Sequence, residues 1–190
     1  MEGTITTLKD TLLQMVKNAE SFGDQWKNIS LGREAFNLIR VMPDTMVRRL
    51  GATKGKAWLL SQMLEQMDET STPRFCIMVR EYIQSLRPDY EDNSARLAKL
   101  RDFIDLSIPM EEYCGKYGIP LKFDPIERTE EMESVIESVE REVDENLAEA
   151  RIPRGLGFCF AYWHEKKVAL SRRGIEWRSP SEMNPRVIFD

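Results

Sequence analysis

From Ile5 onward, apolar residues return every three or four positions, in runs that proline and glycine cut short. Ile5, Leu8, Leu12, Met15, Ala19 and Phe22 step by 3-4-3-4-3, the spacing of one face of an α-helix. A chain made of such segments buries its apolar surface by packing helix on helix. The first seam predicts an amphipathic helix over 4–22. Three heptads do not require a coiled coil, so packing onto the chain's own core is the expectation and dimerisation the alternative.

The same pattern continues. Ser30 is the expected cap of a helix with Ala35, Leu38, Ile39 and Met42 on one face, stopped by Pro43. A short helix over 44–50, a turn at Gly51 and a longer helix from Thr53 follow. Thr72-Pro73 reads as a cap with proline in the first turn, and that helix ends before Pro88. Another helix covers 93–106. Asp124-Pro125-Ile126-Glu127 starts a helix that runs to Ala150 on the seam Met132, Ile136, Val139 and Val143. Its acidic side, Glu140 included, reads as a solvated face. A helix over 158–173 ends at Gly174. Ser179 to Glu182 is a capping box, and the apolar Ile175, Trp177, Val187, Ile188 and Phe189 predict a docked tail.

The expected fold is therefore mainly α, a bundle of seven or eight helices. A short β element near the C-terminal unit is allowed, because Ile119, Leu121 and Phe123 alternate and 175–189 is extended in character. Pro120 confines any strand there to an edge. The organisation read from the sequence is an N-terminal bundle over 1–107, a hinge over 108–124 rich in Pro and Gly, and a C-terminal helical unit over 125–190 that can share the bundle's core.

Hydrophobic residues make up 42% of the 190, enough for a sizeable core. No apolar run approaches the ~20 residues of a membrane span, so no membrane partner is expected. Met1 to Thr7 lacks a basic stretch followed by an apolar one, so a secretory signal is not expected. Cys76, Cys114 and Cys159 are dispersed among apolar neighbours, which suits reduced thiols and a cytoplasmic protein.

The net charge of −5 is segregated: +3 over 1–60, −4 over 61–120, −8 over 121–150 and +4 over 151–190. Adjacent acidic and basic helices with complementary faces explain the last two blocks, and the apolar seam between them is expected to carry the stability. The alternative is that one block faces a charged partner.

Chemistry-bearing motifs are few. His164 is the single histidine and lacks the second histidine of HExxH. Glu130, Glu133 and Glu137 share a helix face, but no Glu-x-x-His accompanies them as in di-iron bundles. No metal and no cofactor is expected. Arg154-Gly155-Leu156-Gly157 before a helix can offer an arginine and backbone N–H groups to an anion, and equally reads as a plain turn. Thr45–Leu64 reads as a helix-turn-helix with Val47, Leu50, Ala57 and Leu60 inside and Arg48, Arg49, Lys54 and Lys56 around the turn. Against DNA binding stand the bulk of Val47, Gly55 in the start of the second helix, and the acidic whole. The preferred function is a non-enzymatic binding or regulatory protein acting through a protein partner or a second copy of itself. The alternative is a DNA-binding regulator that uses residues 45–64.

Overall fold

The computed structural model describes residues 2–50 and 54–189, with the side chain of Glu2 left out. Among these residues 69% are helical, in ten α-helices and two 3-10 turns, and no strand forms. The helices are α1 (Glu2–Glu20), α2 (Asn28–Val41), α3 (Asp44–Arg49), α4 (Lys56–Glu65), α5 (Pro73–Leu86), α6 (Asn93–Ile104), α7 (Met110–Tyr117), α8 (Glu130–Glu149), α9 (Phe158–Ser171) and α10 (Pro180–Met183). The chain is mainly α. The short β element allowed near 119–123 is absent; residues 119–124 are irregular. Two compact units divide inside α6, between Arg101 and Asp102. The stretch read as a hinge, 108–124, holds α7 and contributes Met110, Tyr113 and Cys114 to a core of the second unit.

In the N-terminal unit α1 packs on α2, α2 on α4, and α4 on α5. Leu8 and Met15 of the α1 seam are fully buried with Ile39, Leu60, Met63, Leu64, Val79 and Ile83. A methyl at Gly32 would lie 2.5 Å from Met67 Sδ, so glycine there lets Met67 seat against α2. Buried polar side chains pin these helices. Asn28 donates to Met15 O at 2.9 Å and Gln66 O at 2.7 Å, and accepts from Asn18 at 2.9 Å. That network differs from the expected start of α2. A 3-10 turn at Gln25–Lys27 runs straight into the helix, which begins at Asn28, two residues before Ser30.

In the C-terminal unit α8 packs on α9. Its seam is buried at Met132, Ile136, Val139, Val143 and Leu147. The helix starts later than Asp124-Pro125 predicts. Asp124 caps only a 3-10 turn, Pro125–Arg128, and Thr129 then caps α8 by accepting from Met132 N at 3.2 Å. Arg128 explains the interruption. Its buried guanidinium donates to the carbonyls of Asp102, Phe103, Asp105 and Ile108, closing the end of α6, and lies over the Tyr113 ring. The tail is docked. Ile175, Trp177 and Ser179 are buried at alternate positions, the Ser179–Glu182 capping box forms, and Phe189 meets Trp163 edge-on at 5.1 Å. Val187 and Ile188 face solvent.

Candidate functional site

The basic residues singled out at 48–56 sit where α3 ends and α4 begins. Gly55 is the residue before α4, not a position inside it, and its φ of 83° lies in the left-handed region that a side chain disfavours. The turn at Gly51 and the start at Thr53 fall outside the described residues. α4 itself is a core helix: Ala57, Leu59, Leu60, Met63 and Leu64 are buried. Its remaining residues are Lys56, Trp58, Ser61, Gln62 and Glu65, a narrow strip that starts on one cation and ends in a carboxylate. A recognition helix has to lay a free face in the major groove, and α4 spends most of its faces on the bundle.

Arg48, Lys54 and Lys56 nevertheless converge. They line one pocket of about 240 Å³ with Asp44, Gly55, Ala57, Leu86 and Arg87. Arg49 is exposed and lines no part of it. Lys56 is the most enclosed cation, its side chain 14% exposed; Nζ donates to Arg40 O at 3.1 Å and stands 4.0 Å from Asp44. Arg87, at the end of α5, completes the set. Sequence reasoning missed it because it lies thirty-one residues beyond Lys56, and only the packing of α4 on α5 joins them.

A larger cleft of about 600 Å³ adjoins the pocket and shares Lys54 and Arg87 with it. Trp58, Ser61, Gln62 and Glu65 come from α4, Arg80 from α5, Asp89 to Asp92 from the following loop, and Arg96 from α6. Four cations and four carboxylates thus line it together with Trp58 and Tyr90. Both rings rest half-buried against the core, and Arg87 lies over the Tyr90 ring at 5.9 Å. Arg80 forms the floor. It is 1% exposed and clamped by Glu69, with Nε on Oε2 at 3.0 Å and a second bond to Oε1. Asn93 accepts from its guanidinium at 3.2 Å and donates to its carbonyl at 3.0 Å. Such a bidentate, hydrogen-bonded pair fixes the floor rather than leaving a mobile charge.

The second anion motif is arranged differently. Gly157 caps α9 in the left-handed conformation, φ 77°, as its sequence position suggests, and Gly155 accepts from Phe158 N at 3.0 Å. Arg154, however, turns onto Asp144 of α8 and the Phe158 ring. The arginine is thereby committed within the fold.

One constellation in the C-terminal unit escaped the sequence reading. Glu140 of α8 accepts from Tyr162 Oη at 2.6 Å and Lys166 Nζ at 2.8 Å, both on α9. Lys166 also lies over Trp177, whose Nε1 donates to Glu127 at 2.7 Å. Burial alone would lower the Lys166 pKa, but Tyr162, Glu140 and Glu127 outweigh it and hold the ammonium above the ordinary lysine range. Burial, reinforced by Glu140, pushes the Tyr162 hydroxyl up. Lys166 and Tyr162, both bonded to Glu140, clamp α9 to α8. The signal that could have found it is Tyr162 and Lys166 at i and i+4. Among the described residues no three His, Cys, Asp or Glu side chains gather as a metal site. Cys76 and Cys114 are buried, and burial pushes both thiols up. Among the described residues no helix is long and apolar enough to cross a membrane. No protein-family model, curated protein or solved structure matches this chain.

Proposed function

We propose that this is a non-enzymatic binding protein, working in the cytoplasm, that holds a segment of a protein partner in the cleft of its N-terminal unit. The observation that carries the reading is the cleft of about 600 Å³ in which Trp58 and Tyr90 stand among four cations and four carboxylates. Tryptophan, tyrosine and arginine are the residues that most often anchor protein interfaces, because they bury large area at low entropic cost while keeping a polar handle. Here both rings already rest on the core, so binding would order little that is not ordered beforehand. The mixed charge favours a polar peptide with basic and acidic groups of its own. Free thiols at Cys76, Cys114 and Cys159 agree with a reducing compartment.

The test is a peptide array probed with the full chain and with Trp58→Ala and Tyr90→Ala. Peptides bound by the wild type are expected to lose about tenfold or more in affinity with either variant, as for an anchor worth ~2 kcal/mol. Peptides held equally well by all three chains would place binding elsewhere. A second copy occupying the cleft would appear instead as a concentration-dependent dimer that Trp58→Ala dissociates.

DNA binding is the second reading, favoured by one observation, the convergence of Arg48, Lys54 and Lys56 on a single pocket. It predicts binding to mixed duplex at low salt that weakens steeply as salt rises.

A further inference from the structure

We propose that the pocket at the start of α4 is a phosphate site, and that it takes a phosphorylated side chain of the segment held in the neighbouring cleft. The inference rests on the protein-binding reading and adds the chemistry of one residue of the partner. Four cations, Arg48, Lys54, Lys56 and Arg87, line this pocket against one carboxylate, Asp44. A phosphomonoester carries about −1.5 to −2 charges at neutral pH and three acceptor oxygens, so it matches this excess better than a carboxylate does. Arginine supplies the planar fork suited to phosphate, and lysine a compact charge. Among the described residues Arg48 and Lys54 make no ion pair, and both are exposed, so neither has a bond to give up.

The backbone favours the same ligand. α4 starts in this pocket after Gly55, which has no side chain to cap it, so its first N–H groups add to the field of the cations. Gly55 has no Cβ, and nothing lies within 4 Å of where one would stand, which leaves the approach open. The volume, about 240 Å³, suits a single small group.

Geometry also decides between a phosphopeptide and a nucleic acid. The adjoining cleft shares Lys54 and Arg87 with the pocket but brings in four carboxylates, Glu65, Asp89, Glu91 and Asp92, against two further cations, Arg96 and an Arg80 already paired with Glu69. A chain of phosphodiesters leaving the pocket would meet those carboxylates and be repelled. A peptide with one phosphate and basic or aromatic residues nearby meets complementary charge and two ring faces.

The experiment is an amide-resolved NMR titration of the full chain with three probes: a degenerate peptide pool with a fixed phosphoserine, the same pool with serine, and a short single-stranded RNA. The phosphoserine pool is expected to move the amides of Gly55, Lys56 and Ala57 and to bind about tenfold tighter than the serine pool, the size of one charged hydrogen-bonded contact. The double change Arg48→Gln with Lys54→Gln, and separately Arg87→Gln, should erase that preference and leave the thermal midpoint unchanged. Equal binding of both pools, with the Gly55 region unmoved and the Trp58 indole shifted, overturns the phosphate site while the protein-binding reading stands. Neither pool shifting Gly55 or Trp58 removes both. RNA bound more tightly than the phosphoserine pool overturns the peptide assignment and gives the pocket to nucleic acid.

Discussion

Glu127 lies within a 3-10 turn with its carboxylate facing inward, where it accepts from Trp177 Nε1 and feels Lys166. Burial raises its pKa above the ordinary 4.5, with Asp124 adding to the rise and Lys166 and the Trp177 bond opposing it. The folded chain therefore holds this proton to higher pH than the unfolded chain. Its contribution to stability falls as pH climbs from 4.5 through the raised value. Glu127→Gln keeps an acceptor for Trp177 and removes the charge. Relative to the wild type, the variant should gain stability as pH rises from 4.5 through the raised value of Glu127, measured by urea unfolding at several pH values. A wild-type advantage that grows over that range would show that Lys166 makes the carboxylate a net benefit.

At the scale of elements, α8 and α9 show what an acidic helix does when it has a basic neighbour. Glu142 accepts from both Arg172 at 2.8 Å and Arg173 at 2.7 Å, and Asn146 donates to Glu165 at 3.0 Å. These pairs are partly solvated and each contributes only ~0–1 kcal/mol. Glu140 is different. The expectation of a solvated carboxylate fails there, because its side chain is 8% exposed and carries Lys166 and Tyr162. Glu140→Gln strips a counter-charge from a largely enclosed lysine and should cost about 3 kcal/mol, since only Glu127 remains to face it. Val139→Asp, placing a charge in the apolar seam, should cost about 4 kcal/mol. Glu145→Gln, on the exposed side of the same helix, serves as the control and should stay within about 0.5 kcal/mol. Glu140→Gln behaving like Glu145→Gln in denaturant titration would show that the clamp is not closed in solution.

Across the whole molecule, each unit is closed by groups distant in sequence. The C-terminal unit closes on its tail: Arg178 reaches Asp124 at 3.0 Å, and Asn184 both accepts from Lys122 N at 2.9 Å and donates to Lys122 O at 2.7 Å. These anchors and Trp177 all precede residue 186. Among the described residues, removing the chain from 186 onward takes away little beyond the edge contact of Phe189 on Trp163, and should cost about 1 kcal/mol. Trp177→Ala opens a cavity beside the Lys166 clamp and should cost about 3–5 kcal/mol. A deletion as damaging as Trp177→Ala in thermal unfolding would shift the weight of the docking to the last residues.

What the sequence by itself determined is local. Helix seams, stops at Pro43 and Gly174, and the Ser179 capping box are encoded in spacings of a few residues, because 3.6-residue periodicity and the orphan groups of a helix end act over one or two turns. The mainly-α fold and most of its helices are legible from these alone. Three of the four cations of the pocket were legible too, as a cluster between Arg48 and Lys56. Tertiary structure decided the rest. It made α4 a core helix, set Gly55 before rather than inside it, and brought Arg87, Tyr90 and Arg96 to face Lys54 and Trp58. It also buried Glu140, Arg80 and Arg128, and half-buried Lys166, among partners that composition counts only as charge. The reason is physical: whether a charged side chain meets water or a partner depends on which helix packs beside it, and that is settled by the shared core of the unit, not by the neighbours in the chain.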